Sequence, residues 1–467
     1  MKVLSVTSEC TPLVKTGGLA DVAGALPGAL APLGVEMRTI LPGYPRVMAA
    51  AGPGETLWHE ADLFGGPARL VSSGAAGLDL LILDAPHLYD RDGAPYSAPG
   101  GADWPDNPER FAALGWAAAE IAAGALPGWR PDVLHAHDWQ AGLAPVYLRD
   151  RHPEAAARSI LTIHNIAFQG NAPADRRAAL RLPEAGFTPE GFEYWGQIST
   201  LKAGLLAADR ITTVSPTYAD ELMTPEVGMG LHGVLRARRQ DLSGILNGVD
   251  LDSWTPPYRT PAGKRRRKAR LRDALGLPQA DGPLCVVVSR LTHQKGLDLL
   301  LAALPRLIDE GGQLALLGSG EAALESAFLS AAQQPHVTVT IGYDEALAHL
   351  LLEGGDAILV PSRFEPCGLT QLYGLRYGTV PLVTHTGGLA DTVIDASPAG
   401  LRSGAATGIQ VHPITADALS RAFDRLVGLY RQPDLWLRMQ KNAMRFPVGW
   451  DQSAAEYKAL YDGLIQS

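Results

Sequence analysis

Residues 15–22 read Lys15-Thr16-Gly17-Gly18-Leu19-Ala20-Asp21-Val22. They follow a short apolar and β-branched run at 2–7 and precede a stretch with helical spacing, which indicates a strand-to-helix turn. The paired glycines lack a Cβ, so backbone N–H groups can approach a ligand closely. The start of a helix favours an anion, and Lys15 adds a full positive charge. The turn therefore predicts a diphosphate site that includes Lys15, Gly17 and Gly18, and it lacks the Gly-Lys-Ser/Thr ending of a Walker A loop.

Nearly the same string returns late in the chain, where residues 386–392 read Thr386-Gly387-Gly388-Leu389-Ala390-Asp391-Thr392. Each copy follows a predicted strand and precedes a helix-like stretch. The echo predicts two related α/β domains, and we expect the second domain to direct its own glycine loop at the ligand.

Short apolar runs alternate with helix-like stretches along the whole chain, which predicts parallel sheets with helices on both faces. The first set of predicted strands is 2–7, 80–84, 133–135, 159–163 and 210–214. The second set is 284–289, 313–317, 338–341, 357–360 and 381–384. Helical patterns occupy 297–308, 321–332 and 345–353. The expected fold is thus α/β, with two Rossmann-like domains facing a deep cleft.

The proline-rich stretch 253–263 separates the two sets and is the best candidate for a linker. It divides an N-terminal domain at 1–252 from a C-terminal domain at 264–445. We expect the last segment, 446–467, to be helical and to pack back on the N-terminal domain.

The chain has 467 residues, a net charge of −9 and three cysteines. The acidic balance argues against a general nucleic-acid binder. A basic run at 264–270 allows a nucleic-acid or localisation role, but a solvated helix face explains it as well. No CxxC pair occurs, and no segment is typical of a signal peptide or a membrane span. We therefore expect a cytoplasmic protein without nucleic-acid or membrane partners.

Six segments, in order, carry a family resemblance. They are residues 8–22, 135–142, 162–165, 247–250, 289–296 and 361–371. Together they strongly resemble the signatures of bacterial glycogen synthases and plant starch synthases, and the similarity runs from residue 2 to about 460. The resemblance implies the GT-B glycosyltransferase fold. It also implies transfer of glucose, with retention of the α configuration, from ADP-glucose to the non-reducing 4-OH end of an α-1,4-glucan such as a glycogen primer.

Two further segments contain groups that can bind phosphate. Arg290 and Lys295 lie just past a predicted strand, and fixed positive charges there would stabilise a departing diphosphate. Lys15 would complete this clamp from the other domain. A helix predicted at 367–376 begins near Gly368, Leu369 and Thr370, whose backbone amides can hold a phosphate or a ribose.

The resemblance also implies a role for each matching residue. It gives catalytic roles to His164, Arg290, Lys295 and Glu365, with the His164 side chain on a glucose hydroxyl and its carbonyl near the anomeric carbon. The donor would contact Lys15, Gly17, Gly18, Asn247, Cys367, Gly368, Leu369 and Thr370. Further substrate contacts fall to Glu9, Asp21, Tyr96, His137 and Asp138. No cofactor and no metal are expected.

Three alternatives remain open at this point. The His135-x-His137-Asp138 pattern allows a metal-dependent hydrolase, although on a strand Asp138 would point away from the two histidines. Another GT-B enzyme, such as a sucrose-type synthase or a nucleotide-sugar epimerase, would share the fold. A non-catalytic glucan-binding protein would share it too, but the presence of Arg290, Lys295 and Glu365 argues against loss of activity.

Overall fold

A computed structural model describes residues 1–466, which separate into two compact units. The first unit contains Met1–Val214, Ala219–Ile245 and the C-terminal residues from Trp450 onward. The second unit contains Ser215–Tyr218 and Leu246–Gly449. No helix in the described part of the chain is both long enough and apolar enough to cross a bilayer.

The described residues of the first unit form a nine-stranded sheet and a small three-stranded sheet. The large sheet has the order β12-β11-β7-β6-β1-β2-β5-β4-β3, parallel from β12 to β5, with β4 and β3 added antiparallel. The small sheet has the order β8-β10-β9. The strands are Lys2–Val6 (β1), Glu36–Pro42 (β2), Glu55–Glu60 (β3), Ala68–Ser73 (β4), Leu80–Asp84 (β5), Val133–His137 (β6), Arg158–Ile163 (β7), Asn171–Pro173 (β8), Glu193–Tyr194 (β9), Gln197–Ser199 (β10), Arg210–Thr213 (β11) and Leu242–Gly244 (β12).

Helices follow most of the parallel strands, because parallel neighbours need a long crossover connection that is usually helical. They are Gly18–Leu30 (α1), Pro45–Ala51 (α2), Pro86–Tyr89 (α3), Asn107–Ala123 (α4), Asp138–Ala141 (α5), Leu143–Arg151 (α6), Thr200–Ala207 (α7), Pro216–Leu222 (α8) and His232–Ala237 (α9). The sequence sets their starts: Ser199, for example, caps α7 by accepting a hydrogen bond from the Lys202 backbone N–H.

The second unit has a six-stranded parallel sheet in its described residues, in the order β15-β14-β13-β16-β17-β18. Its strands are Leu284–Val288 (β13), Gln313–Gly318 (β14), Val337–Ile341 (β15), Ala357–Val360 (β16), Val380–Thr384 (β17) and Ile409–Val411 (β18). Its helices are Lys264–Leu275 (α10), Leu297–Asp309 (α11), Ala322–Ala331 (α12), Glu345–Gly354 (α13), Thr370–Tyr377 (α14), Gly387–Thr392 (α15), Pro398–Ser403 (α16), Ala416–Tyr430 (α17) and Pro433–Arg445 (α18).

Both faces of this second sheet are covered, so its strands are apolar on both sides. One core contains Cys285, Val287 and Leu316 and packs under α11 and α17. The other contains Val286 and Ala315 and packs under α10 and α13. The alternation along β13 shows why this strand reads as one continuous apolar run in the sequence.

The last helix, Asp451–Gln466 (α19), belongs to the first unit. Its Tyr457 and Tyr461 are fully buried in a core shared with Val22 and Leu26 of α1 and with neighbouring strand residues. The C-terminal residues therefore complete the first unit's hydrophobic core.

The chain passes between the units on either side of Ser215–Tyr218, after Ile245 and after Gly449, whereas the sequence suggested a linker at 253–263. Residues of that proline-rich stretch are packed inside the second unit. Trp254 stacks on Tyr373 with ring centroids 3.7 Å apart, and the Tyr258 hydroxyl donates to the Tyr377 carbonyl at 2.9 Å. Proline content favoured a linker here but could not reveal this packing.

Candidate functional site

Three neighbouring parallel strands of the first unit, β7, β6 and β1, end where the histidine cluster lies. His137 is the last residue of β6, Asp138 follows it, and His164 follows β7. Ligands of open parallel sheets bind at this carboxyl edge. The sheet order, which no local pattern reveals, brings His137, Asp138 and His164 together.

The buried imidazoles form a linked set. His137 Nδ1 lies 3.0 Å from His164 Nε2, and His137 Nε2 lies 3.2 Å from the Ser5 hydroxyl. His135 is bound separately, to the Tyr461 hydroxyl at 2.8 Å and to the Thr162 hydroxyl at 2.6 Å. Among residues 1–466, no group of three or more histidine, cysteine or acidic side chains has the arrangement of a metal site. The ring nitrogens of His135 and His137 are instead engaged in hydrogen bonds.

Burial controls the protonation of this cluster. Desolvation lowers the pKa of His137 to about 3. It also lowers the pKa of His164 well below its usual value, with a smaller contribution from His137. Both rings are therefore neutral at physiological pH, and each carries one N–H and one acceptor nitrogen.

Asp138 occupies a strained position at the start of α5, with φ of 55°. Its Oδ1 accepts the backbone N–H of His164 at 2.6 Å and, more weakly, that of Asn165 at 3.4 Å. Desolvation raises the pKa of Asp138 to about 7, although these N–H donors oppose the shift. Asp138 thus fixes the backbone that carries His164.

Glu9 organises the glycine loop that precedes α1. Its carboxylate accepts hydrogen bonds from the Thr16 backbone N–H, from the Thr16 hydroxyl at 2.5 Å and from the Gly17 N–H at 3.2 Å. The Tyr96 hydroxyl also contacts it. Glu9 is 2% exposed. Glu9 and Tyr96 are predicted substrate contacts. In the structure Glu9 holds the loop and accepts the Gly17 N–H, and Tyr96 reaches the loop only through Glu9.

Open space remains at the tip of this loop. A Cβ placed on Gly17 or Gly18 would meet nothing within 4 Å. The Lys15 side chain is about half exposed and pairs with Asp21 at 2.7 Å. Exposed pairs of this kind are weak, so Lys15 can exchange Asp21 for an anionic ligand at little cost.

Lys295 and Glu365 form a tight pair in the second unit. Lys295 Nζ lies 2.6 Å and 2.8 Å from the two Glu365 oxygens, and the Ser362 hydroxyl donates to the same carboxylate at 2.8 Å. Glu365 is buried, with 7% of its side chain exposed. Lys295 is held close to the sheet because Gly296 has φ of 65° and a Cβ there would lie 1.9 Å from the Pro361 carbonyl oxygen.

A cavity of about 40 Å³ lies beside this pair, between the carboxyl ends of β13 and β16 and the start of α14. Its lining includes Gly368, Leu369 and Thr370. Their backbone N–H groups have no acceptor among the described residues. The first amides of a helix require partners, and a lysine beside them favours an anion.

Three other residues of this unit that were predicted to bind the nucleotide sugar, Arg290, Cys367 and Asn247, do not line this cavity. The Arg290 side chain is exposed, makes no ion pair with any described residue and is absent from the cavity lining. Cys367 is buried, which raises the pKa of its thiol to about 12, and it receives a hydrogen bond from the Asn247 backbone. The side-chain oxygen of Asn247 is buried without a partner in the described part of the chain.

The glycines of the second glycine loop, Gly387 and Gly388, pack directly against neighbouring backbone. A Cβ on Gly387 would lie 2.0 Å from the Glu365 carbonyl oxygen, and one on Gly388 would lie 2.2 Å from that of Cys367. The Gly388 N–H donates to the Glu365 and Pro366 carbonyls. The expectation that this loop faces a ligand is therefore wrong: its glycines permit close packing behind the segment that carries Glu365.

Sequence reasoning missed two residues of the site. Ser362 holds the Glu365 carboxylate, and Ser5 contacts His137. Ser362 is close to Glu365 in a recognisable segment and could have been noticed. Ser5 lies 132 residues from its partner, so only the strand order reveals it.

The comparisons with known proteins agree with this geometry. The family model for the starch synthase catalytic domain matches residues 2–237, and that for glycosyl transferases group 1 matches residues 270–445. A glycogen synthase of Paracoccus denitrificans is 63% identical, with 99% of each chain covered. One from Jannaschia is 59% identical, with 98% of each chain covered.

Solved structures of related proteins are also similar to this chain. The catalytic domain of starch synthase IV from Arabidopsis thaliana, bound to ADP and acarbose, has a TM-score of 0.86 and 31% identity, covering 100% of this chain and 99% of that one. A sucrose-phosphate synthase from Thermosynechococcus elongatus, at 19% identity and a TM-score of 0.62, shares the fold only. The predicted GT-B fold is confirmed, and the chain belongs to the bacterial glycogen synthase and plant starch synthase family of glycosyltransferases.

Proposed function

We propose that this chain transfers glucose from ADP-glucose to the non-reducing 4-OH end of an α-1,4-glucan, with retention of the α configuration. The observation that carries the proposal is the cavity of the second unit, where three unpaired backbone amides at and just before the start of α14 meet Lys295 and Glu365. The starch synthase IV structure that resembles this chain holds ADP, which supports a nucleoside diphosphate as the ligand.

In this proposal the amides of Gly368, Leu369 and Thr370 bind phosphate or ribose oxygens. Lys295 and Arg290 neutralise the charge that develops on the departing diphosphate. Arg290 is exposed and unpaired among the described residues, so it can turn toward a ligand without breaking an ion pair. Lys15 contributes further positive charge. No metal is required, because these side chains do the electrostatic work that Mg²⁺ does elsewhere.

The transferred glucose contacts Glu365 and His164. Glu365 is held by Lys295 and Ser362, so its oxygens are fixed before the sugar arrives, and such preorganisation avoids a reorganisation cost during the reaction. The His164 carbonyl would favour the positive charge that develops on the anomeric carbon. Asp138, through the His164 N–H, keeps that carbonyl in place.

Retention with these residues does not need a carboxylate nucleophile. The acceptor hydroxyl would enter on the face from which the diphosphate leaves, and a departing phosphate oxygen would take its proton. The bond from the anomeric carbon to the phosphate oxygen breaks, and the bond to the acceptor oxygen forms. The protein then contributes mainly positioning and charge stabilisation.

A side-by-side incorporation assay tests the proposal. Purified protein is given glycogen and either ADP-[¹⁴C]glucose or UDP-[¹⁴C]glucose, and radioactivity in the precipitated polymer is measured. We expect incorporation from ADP-glucose at a rate at least tenfold higher, equivalent to about 1.4 kcal/mol. Equal rates, or a preference for UDP-glucose, would refute ADP-glucose as the preferred glucose donor. Release of free glucose without polymer growth would remove the transferase assignment.

A further inference from the structure

We propose that the Ser5 hydroxyl is a positioning group that, through His137, holds His164 as the Nδ1–H tautomer, so that His164 donates a hydrogen bond to a sugar oxygen. The inference rests on the proposed function for the identity of the sugar. It gives Ser5 a role that no motif assigns, and it specifies the direction of the hydrogen bond that His164 makes.

The Ser5 hydroxyl hydrogen needs an acceptor. This side chain is 1% exposed, and its only hydrogen-bond partner among the described residues is His137 Nε2 at 3.2 Å. If Nε2 carried the proton and donated to Ser5, the serine hydrogen would be buried without an acceptor. A buried unsatisfied donor forfeits its hydration with no compensation. The hydroxyl therefore donates to Nε2.

The bond from Ser5 fixes the proton positions on the His137 ring. A neutral His137 whose Nε2 accepts a hydrogen bond must carry its proton on Nδ1. Nδ1 lies 3.0 Å from His164 Nε2, a distance that requires one proton between the two nitrogens. His137 supplies that proton, so His164 Nε2 is the acceptor.

The proton position on the His164 ring is fixed in turn. A neutral His164 that accepts at Nε2 must carry its own proton on Nδ1. This nitrogen has no hydrogen-bond partner in the described part of the chain, and the ring lies past the carboxyl end of β7. We call the chain of hydrogen bonds from Ser5 through His137 to His164 the relay. It leaves one oriented N–H donor at the sheet edge, suited to the lone pair of a sugar hydroxyl.

Asp138 reinforces the same arrangement without setting the tautomer. Its Oδ1 binds the His164 backbone N–H at 2.6 Å, which fixes the main chain, while Ser5 and His137 fix the proton position on the ring. Backbone and ring are therefore held by separate contacts, and the two can be perturbed independently.

The direct test is the tautomeric state in the full-length protein labelled with ¹⁵N-histidine. Long-range ¹H–¹⁵N correlation spectra distinguish the two neutral forms, and the His137→Asn and His164→Asn variants assign the signals. We expect the Nδ1–H form for both His137 and His164 in the unsubstituted protein. Finding His164 as the Nε2–H form overturns the proposal whatever the variants do.

The Ser5→Ala variant adds a functional readout, with Thr39→Val as the matched control. Thr39 is the register partner of Ser5 on the adjacent strand, and its buried hydroxyl has no partner among the described residues. We expect Ser5→Ala to mix the two tautomers and to lower kcat about tenfold, with KM changed less than about twofold. Thr39→Val should leave the His164 signals in place. Unmoved tautomers in Ser5→Ala would overturn the relay.

The spectra separate this inference from the proposed function. They report the tautomer in the absence of any sugar. A protein that shows the Nδ1–H form but transfers no glucose would refute the proposed function alone, whereas an active protein with the Nε2–H form would refute the relay alone.

Discussion

Lys295 is the predicted phosphate-binding cation whose position is fixed, since both oxygens of Glu365 hold its Nζ. Removing a fixed charge that stabilises a departing group typically costs a factor of about 10²–10³ in rate. We therefore expect Lys295→Ala to lower kcat/KM for ADP-glucose at least a hundredfold. Steady-state kinetics measure this, with Lys441→Ala, an exposed lysine of α18, as the control. A loss below about tenfold would show that Lys295 does not meet the leaving phosphate.

Asp138 gives a prediction about pH. Burial raises its pKa to about 7, so between pH 4 and 7 the folded protein holds a proton that the unfolded chain releases. Stability from this group is therefore present at low pH and is lost as pH rises through that window, by up to about 1.4 kcal/mol per pH unit.

The Asp138→Asn variant isolates this effect, because the amide oxygen can still accept the His164 N–H. The unfolding free energies of both proteins are measured in urea at pH 5, 6 and 7. We expect the substituted protein to gain stability relative to the original as pH rises. A difference that stays constant with pH would mean that Asp138 titrates normally.

Individual residues were predictable from the sequence to different degrees. Lys295 and Glu365 stand in distinctive segments after predicted strands, and the structure pairs them. Ser5 and Ser362 were missed, because a single serine has no recognisable pattern and its partner is defined only once the chain folds. The glycine echo at 387–388 misled us, since a Gly-Gly turn suits a ligand and close backbone packing equally well.

Among the helices, α10 shows that a basic run can include a buried lysine with a structural role, Lys264. Lys264 Nζ donates to the Leu352 carbonyl at 2.9 Å and to the Thr379 hydroxyl at 2.7 Å, and it also lies near the Tyr377 carbonyl at 3.3 Å. It thereby ties the start of α10 to the ends of α13 and α14. Arg265, by contrast, is exposed, so the solvated-face interpretation holds for part of the run only.

We expect Lys264→Met to destabilise the second unit by about 2–5 kcal/mol, because several buried acceptors lose their donor while the volume is kept. Arg265→Met, one residue further along the same helix, should change the free energy of unfolding by less than about 0.5 kcal/mol. Urea unfolding monitored by tryptophan fluorescence checks both. Equal changes in the free energy of unfolding would show that the hydrogen bonds of Lys264 do not stabilise the second unit.

Three parallel strands, β2, β12 and β18, were missed, and two of them are only three residues long. The other parallel strands of the two large sheets were predictable, because most are buried apolar runs that precede a helical pattern. β8, β9 and β10 were not, since two or three residues are too short to show a period. The antiparallel pair β3 and β4 was missed as well. These strands lie at the edge of the sheet, and their half-buried residues blur the alternation.

At the scale of the whole molecule, the first unit is assembled from distant parts of the chain. α19 supplies Tyr461, whose hydroxyl binds His135, and Tyr457 and Leu464 to the core around α1. We expect a chain that ends at Gly449 to lose protection from hydrogen exchange in β1, β6 and β7. The strands β13 and β14 of the second unit should keep theirs. Mass spectrometry after a deuterium pulse measures this, and loss of protection in both units would refute independent cores.

The order of the strands is also a property of the whole molecule, and it explains why the site could be predicted only in part. Local patterns placed β1, β6 and β7 along the chain, although the predicted β6 ended at residue 135 and the strand ends at His137. They did not reveal which strands are adjacent. Family resemblance supplied the roles of residues near those ends. Contacts such as the one between Ser5 and His137 required the assembled sheet.

The linkage formed in a single transfer distinguishes glucan elongation from every alternative. Maltoheptaose and ADP-glucose are incubated with the protein, and ¹H NMR identifies the new glycosidic bond while ADP is quantified. We predict one new α-1,4 bond at the non-reducing end for each ADP released. A β linkage, bond formation without ADP, or ADP release accompanied by free glucose alone would contradict the account.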